Sequence, residues 1–226
     1  MKAVKQLLGT MAADRVLPGM YVGLGTGSTV YWLLQELGRR VANGLHFKAV
    51  PTSQQTADIC EQLGIPLITL EEIDQPLALT IDGADEMTPD LHLIKGGGGA
   101  LLREKIVAAA SDHLTVIVDS SKYVSTLGTF PLPVEVIPFG WKQVARKIHS
   151  FGTGPVVLRE KAGKPFVTDH GHFILDCHFK VIVDPIKLNE ALHLIPGVVE
   201  TGLFAGMASE ALIGYRDGTI KTIYRT

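Results

Sequence analysis

Short apolar runs alternate with amphipathic segments along the first half of the chain. Strands are predicted for the apolar runs at residues 20–24, 47–51, 66–70, 77–81 and 114–118. Helices are predicted from helical spacing at residues 29–41, 54–63 and 100–110, after an N-terminal helix that ends at residues 17–19. Strands joined by helices run parallel and are covered on both faces, so the pattern predicts an α/β fold with a Rossmann-like, mostly parallel sheet and helices on both faces.

The pattern changes after Lys122, where prolines recur over residues 131–138. The segments that follow are β runs with glycine-bearing turns, predicted at residues 155–158, 165–168 and 172–183, and short helices at residues 141–149 and 188–194. This order is typical of a smaller inserted α+β domain with an antiparallel, ferredoxin-like sheet.

The chain is therefore predicted to contain two domains. The α/β domain comprises residues 1–128 and 203–226, where strand-like segments flank Asp217-Gly218, and the smaller α+β domain comprises residues 129–202. A length of 226 residues exceeds the usual size of one domain, and a hydrophobic content of 46% is ample for a core.

Composition narrows the class of protein. A net charge of −2 argues against a nucleic-acid footprint and against a polybasic membrane surface. No run of 18 apolar residues occurs and the first residues lack a signal-like apolar stretch, so a cytoplasmic protein without membrane spans is expected. Cys60 and Cys177 share no metal-ligand spacing and fit a reducing compartment, where both are expected to be small buried hydrophobes.

The motif KGGGGA at residues 95–100 joins a strand-like run to a helical one. Four consecutive glycines indicate a backbone that passes close to something or adopts positive φ. The N–H groups at a helix N-terminus attract anions, Lys95 adds a positive charge, and Glu104 stands where a base could reach a bound anion. The alternative is a flexible loop with Glu104 as a solvated helix residue.

The motif GLGTGST at residues 23–29 follows the first predicted strand and opens a helix. A dinucleotide site would need glycine where Ser28 stands and an acidic residue after the next strand, so NAD binding is weakly supported. Glycines with hydroxyl side chains favour a phosphate monoester held by N–H and O–H donors. The alternative is a tight turn in which Ser28 or Thr29 caps the helix.

The motif DGADE at residues 82–86 ends a predicted buried strand, at the sheet edge where ligands bind in parallel sheets. Asp82 and Asp85 could face one cavity, binding the hydroxyls of a substrate or a Mg²⁺ ion. The alternative is an Asx-type turn with a solvated Glu86. After another strand, Lys122 could meet a phosphate at the same edge or be a surface lysine.

The remaining chemistry-bearing motif is DHGH at residues 169–172, which is typical of a hairpin turn, and no metal is expected there. The sequence has no G-x-S-x-G or H-E-x-x-H motif and no Walker A lysine, so nucleophilic hydrolysis, zinc hydrolysis and nucleotide turnover are disfavoured. The residues that remain fit a cofactor-free site for proton transfer beside a carbonyl.

These motifs together resemble those of the type A ribose-5-phosphate isomerases. The resemblance rests on residues 23–29, 82–86, 95–100, 103–105, 130–136, 195–200 and 202–204, in order along essentially the whole chain. It implies interconversion of ribose 5-phosphate and ribulose 5-phosphate through a cis-enediolate in the non-oxidative pentose phosphate pathway. It also implies no metal and no organic cofactor, and a homodimer or homotetramer.

The resemblance further implies a role for each site residue. Glu104 is implied as the base, Asp82 and Asp85 as groups that handle sugar hydroxyls, and Lys95 with glycine N–H groups as donors to the developing oxyanion. The implied phosphate site comprises residues 26–29, Lys122 and Lys5. The full substrate-binding set is Lys5, Thr26, Gly27, Ser28, Thr29, Asp82, Gly83, Ala84, Asp85, Lys95, Gly96, Gly97, Gly98 and Lys122.

Two other classes of function stay open from the sequence. A sugar-phosphate sensor without catalysis would predict a fused DNA-binding helix-turn-helix and a basic face, and the sequence has neither. Another enzyme on the same fold, an aminosugar-phosphate isomerase or a coenzyme A transferase, would leave the Asp82 and Asp85 pair unexplained.

Overall fold

A computed structural model describes residues 1–225 of the chain. The helices in this range are α1 (Lys2–Ala13), α2 (Val30–Ala42), α3 (Gln54–Gln62), α4 (Leu101–Ala109), α5 (Trp141–His149) and α6 (Pro185–His193). The strands are β1 (Tyr21–Leu24), β2 (Lys48–Pro51), β3 (Leu79–Asp82), β4 (Glu86–Met87), β5 (Leu93–Ile94), β6 (Leu114–Asp119), β7 (Leu132–Val136), β8 (Val156–Leu158), β9 (Glu160–Lys161), β10 (Lys164–Pro165), β11 (Phe173–Cys177), β12 (Val198–Thr201), β13 (Leu203–Phe204), β14 (Glu210–Gly214) and β15 (Ile220–Tyr224).

The contacts of the chain divide it into two compact units. The first unit contains Met1–Ala84, Arg103–Tyr123 and the residues from Met207 onward, and the second contains Asp85–Leu102 and Val124–Gly206. The predicted boundaries after residues 128 and 202 stay a prediction, and the last residue of that predicted range, Thr226, lies outside the described residues.

The first unit is built on a sheet with the strand order β15-β14-β6-β3-β1-β2. Its neighbouring strands pair in parallel, except that β14 and β15 form an antiparallel hairpin around Asp217-Gly218. Every residue of β3 and of β6 is buried, as the continuous apolar runs of a sheet covered on both faces require. The predicted mostly parallel α/β fold is confirmed.

Helices α1 and α2 of the first unit pack closely, because Gly9 brings the two backbones together. A Cβ atom on Gly9 would lie 2.5 Å from the backbone nitrogen of Leu33. Glu36 on α2 accepts hydrogen bonds from Arg39 and Arg40, and Arg40 also reaches Asp14 at the end of α1. The two helices are therefore joined by an apolar contact and by a small network of ion pairs.

The second unit contains antiparallel sheets. One has the strand order β12-β7-β11-β8 and another the order β13-β5-β4, and β9 pairs with β10 in a hairpin. The predicted helix at residues 141–149 is α5, and α6 follows β11 along the chain. The predicted smaller antiparallel sheet is confirmed.

Three predicted strands are corrected by the structure. At residues 66–70, only Leu67 bridges to Ala49, because a capping box between Thr69 and Glu72 turns the chain into a short 3₁₀ helix. The run predicted at residues 172–183 ends at Cys177, since Lys180 has a φ of 66° and breaks the extended backbone.

The run predicted at residues 165–168 is also shorter than expected. Only Lys164–Pro165 pairs with a neighbouring strand, and the hydroxyl of Thr168 instead accepts hydrogen bonds from the backbone of His170 and His172. Side-chain bonds of this kind compete with a strand ladder and favour a turn.

Both cysteines are buried free thiols, as the sequence predicts. Burial raises the pKa of Cys60 to about 12 and also raises the pKa of Cys177, so neither thiol is a nucleophile at neutral pH. Of the helices within residues 1–225, none has the length and apolar character needed to cross a bilayer.

Candidate active site

The carboxyl ends of four strands meet at one edge of the sheet in the first unit. The register pairs Leu24 of β1 with Pro51 of β2 and with Ile81 of β3, and Asp82 of β3 with Val116 of β6. Because these strands are parallel, the residues that follow them lie along the same edge. These are residues 25–29, 52–53, 83–84 and 120–122.

Asp82 ends β3 and is 1% exposed. Its Oδ1 accepts hydrogen bonds from the backbone N–H groups of Thr26, at 3.0 Å, and of Gly83, at 2.7 Å. A Cβ atom on Gly25 would lie 2.0 Å from this Oδ1, so no side chain fits there. The bond to Gly83 joins the carboxylate to the residue that follows it, and the bond to Thr26 ties it to the glycine-rich turn.

The turn at residues 26–29 carries hydroxyl groups that are not used as helix caps. Thr29 occupies the N-cap position of α2, as the capping interpretation allows, but its side chain makes no capping hydrogen bond. Gly27 and Ser28 are exposed, and Thr26 Oγ1 lies within hydrogen-bond distance of a buried hydroxyl cluster. The cluster consists of Thr52, Ser53 and Thr56, at 2.9, 2.7 and 3.1 Å.

A lysine from the first helix reaches this turn. Lys5 Nζ donates to Ser28 Oγ at 2.8 Å and lies 4.0 Å from Asp119 Oδ2 at the end of β6. Lys122 is half-buried on the 3₁₀ turn that follows Asp119. The first unit therefore brings Lys5 and the hydroxyl-bearing turn together.

Three further polar residues lie at this edge, although the sequence motifs do not predict them as site residues. Thr52 and Ser53 follow β2 and surround Thr26, and Asp119 ends β6 beside Lys5. Their signal was available, because each stands at the carboxyl end of a predicted strand, the position that singled out Asp82.

Glu104 lies in the first turns of α4 and is 5% exposed, so the solvated-residue interpretation is wrong. The end of α4 adjoins the start of β3, since Ala110 accepts a hydrogen bond from Leu77 N–H at 2.9 Å. Val107 packs against the backbone of Gly23, where a Cβ would lie 2.6 Å from its Cγ1.

These contacts determine how far along the strand direction Glu104 lies. Gly23 pairs with Thr80, and Asp82 stands two residues, or about 6.6 Å, further along β3. Glu104 stands one helical turn, about 5 Å, beyond Val107 in the same direction. Asp82 and Glu104, both in the first unit, therefore lie at a similar level near the edge where the strands end.

In the second unit, the glycine segment, defined as residues 95–99, is held by specific bonds. Gly97 N–H donates to Asp85 Oδ2 at 2.7 Å, and Asp85 N–H donates to the carbonyl of Ile94. Gly96 and Gly99 have φ of 99° and 84°, values that favour glycine, while Gly97 and Gly98 are exposed. The segment is therefore a turn that is fixed by hydrogen bonds, and its backbone is exposed at Gly97 and Gly98.

Lys95 begins the glycine segment and is 3% exposed. Its N–H donates to the carbonyl of Gly202 at 2.9 Å, and its Nζ lies 5.3 Å from the ring centroid of Phe204. Water would screen a positive charge only weakly on a lysine buried to this extent.

Glu86 belongs to the structure of the second unit. It is buried, and its carboxylate accepts hydrogen bonds from the N–H groups of Gly128 and Phe130 at 2.7 and 2.6 Å. The interpretation of Glu86 as a solvated residue is wrong.

The histidine motif at residues 169–172 forms a turn closed by a hydrogen bond from Gly171 N–H to the Thr168 carbonyl. His172 Nδ1 lies 2.9 Å from the buried carboxylate of Glu135. Within residues 1–225, no group of three or more His, Cys, Asp or Glu side chains is arranged to hold a metal ion.

The chain matches a family model over residues 48–218, and that family is described as ribose 5-phosphate isomerase A (phosphoriboisomerase A). A relative named ribose-5-phosphate isomerase A from Bacillus mycoides (strain KBAB4) is 57% identical, over 96% of this chain and 98% of the relative.

Solved structures agree with the family model. Ribose 5-phosphate isomerase from Plasmodium falciparum has a TM-score of 0.95 and 36% identity, over 99% of each chain. A D-ribose-5-phosphate isomerase in complex with phospho-erythronic acid has a TM-score of 0.94 and 36% identity, over 99% of this chain and 98% of that one. On these grounds the chain belongs to the ribose 5-phosphate isomerase A family.

Proposed function

We propose that Glu104 is the base that moves the proton in the reaction of this family. The chain is an aldose–ketose isomerase of the pentose phosphate pathway, which interconverts ribose 5-phosphate and ribulose 5-phosphate. A sensor domain without catalysis is not favoured, because relatives named as isomerases match nearly the whole chain.

The proposed step transfers a proton between two neighbouring carbons. Glu104 removes the proton from C2 of the open-chain aldose and returns it to C1, while the proton on O2 moves to O1, through a cis-enediolate. The observation that carries this proposal is the buried carboxylate of Glu104 near the edge where the strands end. A carboxylate held in such a place acts as a base and then, once protonated, as an acid.

The negative charge of the enediolate needs donors that are in place before it forms. We assign this role to Lys95 and to the backbone N–H groups of Gly96 and Gly98, while Gly97 N–H holds the carboxylate of Asp85. Asp82 and Asp85 are assigned to the sugar hydroxyls, where Gly83 and Ala84 form the turn between them. The burial of Lys95 supports its assignment, since its charge acts at short range in a medium of low dielectric.

The phosphate group of the substrate is assigned to residues 26–29 with Lys5 and Lys122. The contact between Lys5 and Ser28 supports this assignment, because a cation and a hydroxyl donor stand together on an exposed turn. A similar solved isomerase is in complex with phospho-erythronic acid, a phosphorylated acid, which is consistent with such a site.

Substitution of Glu104 tests the proposal. Glu104→Gln keeps the size of the side chain and removes its basicity, so kcat should fall by about 10²–10⁴-fold with KM within about threefold of wild type. Glu61→Gln, on the exposed face of α3, is the matched control and should leave both constants unchanged. Turnover of Glu104→Gln close to the wild-type value would contradict the assignment.

The assembly that we propose is a homodimer or homotetramer. Its support is a set of large apolar side chains that the second unit leaves exposed, among them Phe139 at 92%, Val183 and Leu194. Light scattering of the purified chain should give two or four times the mass of one chain. Val183→Asp combined with Leu194→Asp should lower that mass, and a monomeric wild-type chain would contradict the proposal.

The compartment that we propose is the cytoplasm, because the two cysteines are free and buried and need no oxidising environment. Fractionation of cells that express the chain should recover the isomerase activity in the cytoplasmic fraction, and recovery in another fraction would contradict the proposal.

A further inference from the structure

Arg159 lies between β8 and β9 of the second unit, and its side chain forms hydrogen bonds with the glycine segment. Its Nη1 donates to the carbonyl of Gly96 at 2.7 Å and to the carbonyl of Gly97 at 3.2 Å. The segment is more than 60 residues away along the chain, so the contact is a product of the fold.

The guanidinium group of Arg159 is itself fixed. Its Nε donates to Asp176 Oδ2 at 3.0 Å and its Nη2 donates to Asp176 Oδ1, which makes a bidentate ion pair with 14% of the Arg159 side chain exposed. The backbone of Arg159 is bonded to Ile174 on one side and to Phe166 on the other. A planar guanidinium group that is fixed in this way directs its remaining N–H donors in a defined direction.

Other contacts of the same part of the second unit hold the far end of the segment. A Cβ atom on Gly99 would lie 2.4 Å from Cζ of Phe166, so the ring of Phe166 is packed against the glycine backbone. Phe166 N–H donates to the carbonyl of Arg159 at 2.8 Å. The two residues are therefore joined through their backbones, and their side chains contact opposite ends of the glycine run.

The bonds from Arg159 act together with a bond from Gly99 N–H to the Gly96 carbonyl at 3.0 Å to fix where the N–H groups of the segment point. In a trans peptide the C=O and N–H groups point in opposite directions, and the described residues contain no cis peptide bond. Fixing the Gly96 carbonyl therefore directs Gly97 N–H away from Arg159, and this N–H donates to Asp85. Fixing the Gly97 carbonyl directs the N–H of the exposed Gly98 away from Arg159 in the same manner.

We propose that Arg159, oriented by Asp176, is a positioning residue that aligns the N–H groups of Gly97 and Gly98. The inference rests on the roles proposed above for the glycine segment and for Asp85. Arg159 acts through the backbone: one peptide unit orders Asp85 and the next presents an N–H to the oxyanion. A donor already in place for the enediolate stabilises the transition state more than the bound substrate.

Kinetics of Arg159 variants test the inference. Arg159→Met should lower kcat by about 10- to 100-fold, because small displacements of reacting groups have effects of this size, while KM stays within about threefold. Arg159→Lys should recover part of the loss, since an ammonium group can donate to a carbonyl but cannot form the bidentate pair with Asp176. Arg146→Met, on the exposed face of α5, is the matched control and should behave as wild type.

Asp176→Asn provides a second, milder variant that keeps the shape of the pair. It should lower kcat in the same direction but by less than Arg159→Met, with KM within about threefold of wild type. If Arg159→Met does not fold, this variant and Arg159→Lys decide the question: a kcat equal to wild type in both overturns the inference.

A double-mutant cycle separates positioning from a general loss of stability. Asp85→Asn and Arg159→Met should be non-additive, with the double variant losing less than the product of the two single losses, because both act on one peptide segment. A double variant whose loss of kcat equals the product of the two single losses would overturn the inference. Glu104→Gln is assayed in parallel: if it retains full turnover, the proposed function fails, whereas an inactive Glu104→Gln beside a fully active Arg159→Met overturns the role of Arg159 alone.

Discussion

Lys5 is the residue that most directly links the N-terminal helix to the proposed phosphate site. It donates to Ser28 and lies beside Asp119, so its ammonium group is held at the exposed turn. Lys5→Met should raise KM for ribose 5-phosphate by about 10- to 100-fold, the effect of losing a hydrogen bond to a charged group, with kcat nearly unchanged.

Lys2→Met is the matched control for Lys5→Met. Lys2 lies on the same helix, but its Nζ lies over the ring of Trp32, and the variant should leave KM unchanged. Steady-state kinetics at constant ionic strength measures both. A Lys5→Met enzyme with the KM of wild type would contradict the assignment of this lysine to the phosphate.

At the residue scale, the sequence predicts the site residues whose location depends on neighbouring residues in the chain. Asp82 and the turn at residues 26–29 follow strands, and strand ends are visible in the pattern of apolar residues. The contact between Arg159 and the glycine segment has no local signal, because it joins residues that are brought together only by the fold. Thr52 and Ser53 also follow a predicted strand, so their place at this edge has a local signal in the sequence.

At the scale of elements, the ion pairs between α1 and α2 make a prediction about pH. The hydrogen bond from Arg39 lowers the pKa of Glu36 to about 2, and a second bond from Arg40 acts in the same direction. A carboxyl whose pKa is lower in the folded chain stabilises the fold fully above its unfolded value of about 4.5. That stabilisation is lost as the pH falls from about 4.5 towards 2.

Glu36→Gln removes the charge that the two arginines contact. The free energy of unfolding should fall by about 1 kcal/mol at pH 7, as for partly exposed ion pairs in a network, and the difference from wild type should shrink at pH 3. Denaturant titrations at the two pH values measure it, with Glu61→Gln on α3 as the control. A difference that stays constant between pH 7 and pH 3 would contradict this account.

The elements that the sequence predicts well are those with a long periodic pattern. Helix α5 has the predicted bounds, and α2 is shifted by one residue. Strands β4 and β5 have two residues each, too few for an alternation to be recognised. Strand β7 contains Pro133 between two neighbouring strands, although proline within a run normally argues against a central strand.

At the scale of the whole molecule, the α/β class is predictable because it depends on the alternation of strands and helices over more than a hundred residues. The division into domains is harder to predict. Residues 85–102 group with the second unit because β4 pairs with β5 and β5 pairs with β13. Each of these strands has two residues, and β5 and β13 are distant in sequence.

The central claim is that Glu104 carries a proton between C2 and C1 of the sugar phosphate. The most direct measurement is isomerisation in ²H₂O, followed by NMR, with the wild-type chain, Glu104→Gln and the Glu61→Gln control. The account predicts deuterium at C1 of ribulose 5-phosphate and at C2 of ribose 5-phosphate for wild type and control, and none for Glu104→Gln on the same timescale. Isomerisation, or deuterium uptake, by Glu104→Gln at the wild-type rate would contradict it.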